Sequence, residues 1–523
     1  MIFRAPEPDV DIPDVALTPF LLERALTLGD KPAFIDGPTG RTLTYRAWAA
    51  AVRKAAAGLS SRGFRKGDVF AIYSPNLPEY AIAFHAVSLL GGINTTINPA
   101  YTAAELSLQL EDAGARALVT VPPCLDKAAH AAREAGVREV FVFGEANGAT
   151  PFAELLAGDG DPPAVALDAR TQVVVLPYSS GTTGLPKGVM LTHRNLVANM
   201  LQAATVMRLG EKDVMLGVLP FFHIYGMVVI MNLGIHHGAT IVTMPRFDLE
   251  QCLQAMEKYG VTFANVVPPL VLAFAKSPLV DKYDLSRVHT LISGAAPLSE
   301  YVATVASARL GCRVVQGYGL TETSPVTHAT RLNDGPIKVG GIGPPVPNTE
   351  ARVVHITTGA ELGPNQEGEI CVRGPQVMKG YLNRPDATSA MIDADGWLHT
   401  GDVGYADEDG CFFIVDRLKE LIKYKGMQIA PAELEAVLLS HPLVADAAVI
   451  PIANEECGEV PKAFVVLRSD ATPEHIMSYV AERVAPYKKL RVVEVIEQIP
   501  KSPAGKILRR VLIAREKART DPA

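Results

Sequence analysis

The chain is poor in cysteine and tryptophan, with six and two in 523 residues. The cysteines are scattered singly and no CxxC pair occurs, so neither a thiolate zinc site nor a disulfide framework is indicated. Isolated buried thiols are expected instead. Long apolar runs are also missing: none reaches the roughly 20 residues that a membrane-spanning helix needs. The N-terminal MIFRAPEPDVDIPD has proline and acids where a signal peptide has an apolar run. The final RTDPA is not a peroxisomal address. A cytoplasmic location is the simplest expectation from these absences. Positive charge is in deficit, 49 Lys and Arg against 56 acids for a net -7, which argues against a general nucleic-acid binder. The G-x-S-x-G elbow of a hydrolase nucleophile is absent as well.

What is present reads as a multidomain globular protein. At 523 residues the chain exceeds one ordinary core, and 48% hydrophobic with 20% charged residues is an ordinary globular balance. Short apolar runs such as VFAIYS (69–74), ALVTV (117–121), VVVLPY (173–178), TIVTM (240–244), FANVV (263–267) and HTLIS (289–293) alternate with helix-like spacing, as at 195–208 and 248–260. That alternation predicts α/β layering around largely buried strands. From about residue 340 the texture changes to GGIGPPVPNTE followed by ARVVHI, GEICVRG and GCFFIVD, a β-rich subdomain with turns at Asp395-Gly396 and Asp409-Gly410. Dense charge in DRLKELIKYKG (416–426) opens a compact C-terminal α+β pattern. The expected class is therefore α/β, with a large N-terminal domain over 1–415 and a small C-terminal domain over 416–523.

SSGTTGLPKGV (179–189) is the most distinctive stretch. It lies between a predicted strand at 173–178 and a predicted helix from 193. Backbone N–H groups in a tight glycine-rich loop form an anion cradle, with Gly181 and Gly184 free to adopt positive φ. Ser179, Ser180, Thr182 and Thr183 add hydroxyl donors, and Lys187 adds a point charge. A flexible surface loop is the plain alternative reading. The spacing is not that of a Walker A loop, because no Ser or Thr follows the lysine.

Taken whole, [ST]-S-G-[ST]-T-G-x-P-K-G resembles the signature of the adenylate-forming superfamily, which includes acyl-CoA ligases, firefly luciferases and peptide-synthetase adenylation domains. Further stretches extend the resemblance over nearly the full chain: PFFHIYG (220–226), ISGAAPL (292–298), QGYGLTE (316–322), HTGDVG (399–404) and KSPAGKILRR (501–510). The resemblance implies ATP, Mg²⁺ and coenzyme A as reactant and cofactors, with a small-molecule carboxylic acid as substrate. It implies no nucleic-acid partner, no membrane span, and a monomer or homodimer. The loop residues Ser179 to Gly184 and Lys187 would contact the departing phosphates. Ala295, Gln316, Gly317 and Tyr318 would cradle the nucleotide, Thr321 would bond the α-phosphate, and Glu322 would hold Mg²⁺. Asp402 and Arg417 would serve the ribose, Lys419 would be a further nucleotide contact, and Asp416 and Arg417 would form the hinge. His223 would close over the acyl site.

The resemblance further implies that the C-terminal domain is mobile and rotates between two half-reactions. Lys506 would act in the first, while Lys423 and Gln428 would act near the acyl-adenylate and Lys425 and Gly426 along the coenzyme A path. Arg246 would meet the coenzyme A phosphate. Within the superfamily the residues are most similar to 4-coumarate/cinnamate:CoA ligases, carried by KELIKYKGMQIAPAELE (419–435), PFFHIYG and QGYGLTETSPV (316–326). Tyr225, Gly294, Gly319, Pro325 and Val326 match the acyl pocket, with small residues at 294 and 319 leaving room for a flat ring beside Tyr225. Val229, apolar where plant relatives often carry a small polar group, argues against recognition of a ring hydroxyl. A ligase for medium-chain fatty or other aryl acids is the alternative. A luciferase-like oxygenase and a non-catalytic binding protein are further ones, and a peptide-synthetase module is disfavoured because LLGGIN (89–94) lacks the carrier serine.

Overall fold

Short β-branched runs set among amphipathic helices build two eight-stranded sheets. The computed structural model describes residues 1–158, 160–179, 186–332, 337–425, 427–454, 457–502 and 505–520. In the first sheet Val69–Tyr73, Ile93–Ile97, Ala115–Thr120, Glu139–Val142 and Val173–Ser179 run parallel. Every residue of Val69–Tyr73 is buried. Phe70 and Ile72 join one apolar cluster while Val69, Ala71 and Tyr73 join another, as expected for a strand covered on both faces. The second sheet runs parallel through Pro32–Asp36, Thr240–Thr243, Val214–Gly217, Phe263–Val266, Thr290–Ser293 and Arg313–Gly319.

Each sheet ends in an antiparallel hairpin toward the same place. In the first sheet Val173–Ser179 pairs with Lys187–Thr192; in the second, Arg313–Gly319 pairs with Val326–Ala329. The single turn Thr321–Thr323 packs on both strands of the first hairpin. The helix expected from 193 is present as His193–Met207, and the unforeseen element before it is the strand KGVMLT. Gly188 makes this possible, since a Cβ there would meet the Tyr178 ring at 3.1 Å. Thr192 then caps the helix: its hydroxyl accepts from Asn195 N at 3.2 Å, and Asn195 Oδ1 accepts from Thr192 N at 2.8 Å.

The buried polar side of that helix holds the neighbouring elements. Asn199 exchanges two hydrogen bonds with the Val326 backbone. Asn195 Nδ2 donates to the Pro375 and Val377 carbonyls, and Gln202 Nε2 donates to the Pro347 carbonyl. A third sheet follows, ordered Phe3–Arg4, Glu350–Val354, Gly368–Arg373, Leu398–Ala406 and Phe412–Arg417. Its two predicted turns are present, with left-handed glycines at 396 (φ +80°) and 410 (φ +76°). Asp416 and Arg417 end the last strand, opposite Val403 and Asp402.

The C-terminal part is a separate five-stranded sheet with its own apolar cluster, centred on Val444–Asn454 against Gly458–Leu467. It touches the larger part near the site: Lys276 Nζ donates to the Leu439 carbonyl at 2.8 Å, and Gly505 lies against Val267 and Pro269. Among the described residues no helix is long and apolar enough to cross a membrane.

Candidate active site

One cleft forms where the hairpin end of the second sheet meets the C-terminal turn that carries Lys506. It is lined by His223 and Tyr225, by Gly294 and Ala295, by Gly317 to Thr321, by Pro325 and Val326, and by Lys506 from the C-terminal part. Segments spread over almost 300 positions of sequence thus share one wall. Met207, Ile224, Ile292 and Leu320 also line it and had no polar signal to mark them.

Lys506 is the cation of the cleft. A tight turn presents it, with Ser502 N donating to the Lys506 carbonyl at 2.8 Å and Lys506 N donating to Ser502 Oγ at 3.1 Å. Burial and then the Arg417 charge pull its pKa down, while Asp402, Glu322 and Glu420 pull it up. His223 is held neutral: burial, and after it the Lys506 charge, push its pKa down to about 3. Its Nδ1 accepts Tyr225 N–H at 3.3 Å, so the proton of the neutral ring belongs on Nε2.

Asp402 is buried on its strand and flanked by two partners. Its Oδ2 accepts from the Tyr318 hydroxyl at 2.5 Å, and Oδ1 lies 3.3 Å from Arg417 Nε. Burial raises its pKa and the Arg417 charge opposes that. Asp416 next to it has a different task. Its carboxylate accepts from Arg417 N at 2.7 Å and from Ala432 N at 2.9 Å, the second residue of the helix Pro431–Ser440. It therefore caps that helix from across the chain, and burial pushes its pKa up to about 6.

Glu322 is 7% exposed, and Tyr381 donates to its Oε1 at 2.8 Å. The Lys187 ammonium lies 5.0 Å from the centre of the same tyrosine ring. Tyr381 is thus a site residue that motif reading missed, although the glycine-tyrosine pair in KGYLNRP was visible. Gln316 behaves differently from expectation. It does not line the cleft, and its Oε1 accepts Leu298 N at 3.0 Å, bracing the ISGAAPL loop. Ser180, Gly181, Thr182, Thr183, Gly184 and Gly426 lie outside the described residues, as does the Gln428 side chain.

The second lysine group stands apart from the cleft. Lys423 and Gln428 are cross-strand partners in the hairpin Ile422–Tyr424/Met427–Ile429, and Lys423 does not line the cavity. Lys423 and Lys425 are exposed, Lys425 with a left-handed φ of +46° at the hairpin turn. Lys419 and Arg246 are also exposed and do not line the cleft. The structure brings Lys506 to the site and leaves the Lys423 face outside it.

Gly294 and Gly319 both line the cleft. A Cβ at Gly319 would meet the Pro325 carbonyl oxygen at 1.8 Å, so the backbone approach there also requires glycine. Gly294 accommodates Tyr225, whose ring would lie 3.0 Å from a Cβ at that position. Val229 is fully buried and is not part of the cleft wall. The polar group behind the wall is Asn265 instead. It is paired in register with Ile292, lies 3.5 Å by Oδ1 from the Tyr225 hydroxyl, and its Nδ2 has no partner. The Tyr225 hydroxyl itself donates to the Ile292 carbonyl at 3.0 Å.

One cluster could suggest a different ion site: Glu369, Cys371 and His399 hold their ligand atoms within 4.8 Å of one another. The geometry is accounted for otherwise. Glu369 accepts from His399 Nδ1 at 3.0 Å and from Gly401 N at 3.0 Å, which steadies the strand carrying Asp402. Cys371 is held as a neutral thiol at about 12 by burial, and Arg352 already places a positive charge beside it.

A cleft that gathers Tyr225, Gly294, the Gly317–Thr321 turn and Lys506 on this fold is that of an AMP-binding enzyme. The chain belongs to the AMP-binding enzyme family: that family's model matches residues 21–382, and the model of the AMP-binding enzyme C-terminal domain matches residues 433–506. The chain is 47% identical to 4-coumarate--CoA ligase 5 of Oryza sativa subsp. japonica, over 98% of this chain and 97% of that protein. It is 45% identical to 4-coumarate--CoA ligase 1 of Petroselinum crispum over the same shares. Among solved structures, ATP-bound MatB from Rhodopseudomonas palustris matches with a TM-score of 0.86 at 29% identity, covering 95% of this chain and 98% of that one. The anthranilate CoA ligase AuaEII in complex with anthranoyl-AMP matches with a TM-score of 0.90 at 23% identity, covering 98% and 99%, a likeness of fold.

Proposed function

We propose that this chain activates a carboxylic acid with ATP and transfers the acyl group to coenzyme A, and that the acid is an aryl acid of the 4-coumarate or cinnamate type. The observation that carries the reading is the meeting of Lys506, His223 and Tyr225 with the Gly317–Thr321 turn in one cleft, beside the Tyr318–Asp402–Arg417 group. Relatives named 4-coumarate--CoA ligases at 45–47% identity support it.

In the first step the acid's carboxylate oxygen attacks the α-phosphorus of ATP, the bond to the bridging oxygen breaks, and pyrophosphate leaves. Charge moves among oxygens, so fixed cations and N–H donors aimed at them supply the catalysis. Lys506 would steady the carboxylate and α-phosphate oxygens. Thr321 would donate to the α-phosphate, and Asp402 would accept hydrogen bonds from two ribose hydroxyls. Glu322 is the residue that would hold Mg²⁺; a buried carboxylate beside phosphate oxygens fits that ion. When bound, the ion neutralises phosphate charge. In the second step the sulfur of coenzyme A attacks the acyl carbonyl and AMP leaves. No protein nucleophile is required. His223, neutral with its proton on Nε2, would act as a donor over the acyl site.

The division of the chain at 416–417 belongs to the same proposal. The small domain would turn there, withdrawing Lys506 and bringing in the Lys423–Gln428 face, with Lys425 and Arg246 along the coenzyme A path. The reading places the reaction in the cytoplasm, and finding the protein in a membrane pellet on fractionation would refute that part.

The test is direct. Purified protein with ATP, Mg²⁺ and coenzyme A is offered 4-coumarate, cinnamate, caffeate, benzoate, hexanoate and palmitate, and thioesters are identified by mass. Coumaroyl and cinnamoyl thioesters are expected. Palmitoyl thioester without any aryl product would overturn the choice of acid, and AMP without thioester would overturn the ligase.

A further inference from the structure

Tyr381 makes contacts that no catalytic motif assigns to it. It sits on the two-residue strand Gly380–Tyr381, antiparallel to Lys187–Thr192, with Val189 opposite Tyr381. Backbone bonds clamp this segment from both sides: Met378 N donates to the Glu322 carbonyl at 2.8 Å, Lys379 N to the Met190 carbonyl at 3.0 Å, and Leu382 N to the Gly188 carbonyl at 2.8 Å. Gly380 is required there, since its φ is +146° and a Cβ would meet the Thr388 side chain at 2.9 Å. The ring is 6% exposed, so its position is set by packing rather than by solvent.

From that fixed position one side chain touches three groups at the phosphate end. Its hydroxyl donates to Glu322 Oε1 at 2.8 Å. Its ring face lies under the Lys187 ammonium at 5.0 Å. Its hydroxyl is also influenced by the Ser179 side chain, where the glycine-rich stretch begins. Burial, then the Glu322 charge, raise its pKa far above the ordinary tyrosine value, so it remains a donor at any working pH.

We propose that Tyr381 is a positioning residue for the phosphate end of the site, orienting the Glu322 carboxylate toward a divalent cation and the Lys187 ammonium toward phosphate. The two roles use different parts of the side chain. The hydroxyl leaves one Glu322 oxygen engaged and the other available to a metal. The ring holds Lys187 without taking its donors, because a cation over a π face keeps its N–H groups free. This rests on the ATP-dependent reading above.

Two variants separate the roles. Tyr381→Phe keeps the ring and loses the bond to Glu322. Tyr381→Leu loses both. ATP binding is measured by calorimetry across a Mg²⁺ series and in EDTA, and metal binding by free Mn²⁺ signal in electron paramagnetic resonance. Tyr381→Phe should raise the Mg²⁺ needed for half-maximal ATP binding by roughly tenfold, the effect of one hydrogen bond to a charged group, and leave binding in EDTA unchanged. Tyr381→Leu should weaken binding in EDTA as well, by about threefold or more on the scale of an exposed cation–π contact. On a Glu322→Gln background the Phe substitution should have no further effect on the metal requirement.

A wild-type metal requirement in Tyr381→Phe, or losses that simply add on the Glu322→Gln background, would overturn the proposal. Equal losses in Phe and Leu under both conditions would do the same, because they describe a general packing defect. If Tyr381→Leu does not fold, the Phe variant and the Glu322→Gln cycle still decide the hydroxyl's role. A wild-type chain that binds no ATP with Mg²⁺ overturns the ligase reading instead, so the two failures are distinguishable.

Discussion

Replacing Gly505 by alanine should slow acyl-adenylate formation and spare the transfer step. Gly505 has φ +77°, and an added Cβ would lie 3.0 Å from Val267 Cγ2, 3.2 Å from Val267 Cβ and 3.4 Å from Pro269 Cδ. The backbone conformation costs an alanine about 1–2 kcal/mol. That cost falls on the C-terminal fold in either domain arrangement and lowers overall stability. The steric cost is different, because Val267 belongs to the large part, 4% exposed and unable to yield much. Overpacking of such a contact costs about 1–3 kcal/mol. It applies only while the Lys506 turn is docked, so it converts to a slowing of adenylation by roughly 5- to 150-fold at about 1.4 kcal/mol per decade. The assay is burst formation of acyl-AMP from ATP and acid, run beside thioester formation from supplied acyl-AMP and coenzyme A. A second substitution, Val267→Ala, removes Cγ2, the atom nearest the new Cβ, while Val267 Cβ stays, and should restore part of the lost adenylation rate. Equal slowing of both half-reactions, or no rescue by Val267→Ala, would refute the reasoning that docking of this turn is specific to the first step.

Three further outcomes follow from the same geometry. Lys506→Ala should lower adenylation by at least a hundredfold, the scale of a lost electrostatic contact to a developing charge, while thioester formation from supplied acyl-AMP stays within a few fold; stopped-flow measurement of each half-reaction checks this. Asn265→Leu should leave the kcat/KM preference between 4-coumarate and cinnamate within a few fold of wild type, because Asn265 is fully buried and stands outside the cleft wall; a tenfold change or more would place its amide in recognition. The fold should lose stability as pH drops below about 6.5. Burial holds His85 and His328 at about 3 and His193 at about 4 in the folded chain. The unfolded chain therefore takes up their protons first, and each contributes a slope of about 1.4 kcal/mol per pH unit between the ordinary histidine value and its depressed one. Urea midpoints at pH 7.5 and 5.5 measure the drop, and His328→Gln should make it shallower.

Strand and helix positions in the two large sheets were readable because their residues are buried by period. Val69–Tyr73 is apolar throughout, which is what a strand covered on both faces requires. The strand Lys187–Thr192 was missed for a local reason: its first three residues belong to the glycine-rich stretch 179–189 read as a loop, and only pairing with Val173–Ser179 reveals it. The motif residues that line the cleft were legible as short strings with unusual glycine and charge content. Tyr381 and Asn265 were not, because each is one residue in an ordinary-looking segment, and their importance lies in what stands opposite.

By itself the sequence supplied the short strings from which the chemistry was read: the glycine-rich stretch 179–189, the Thr321-Glu322 pair, Asp402 and two lysine groups. Those identities are covalent facts and need no coordinates. Tertiary structure decided which of the two lysine groups occupies the cleft, since Lys506 and Lys423 are equally ordinary lysines until the small sheet is placed against Val267 and Pro269. It also decided why the glycines are there. Gly319 is excluded from being larger by a carbonyl 1.8 Å from its missing Cβ, and Gly294 by the ring of Tyr225. Steric exclusion depends on atoms far apart in the chain, and only the folded arrangement brings them together.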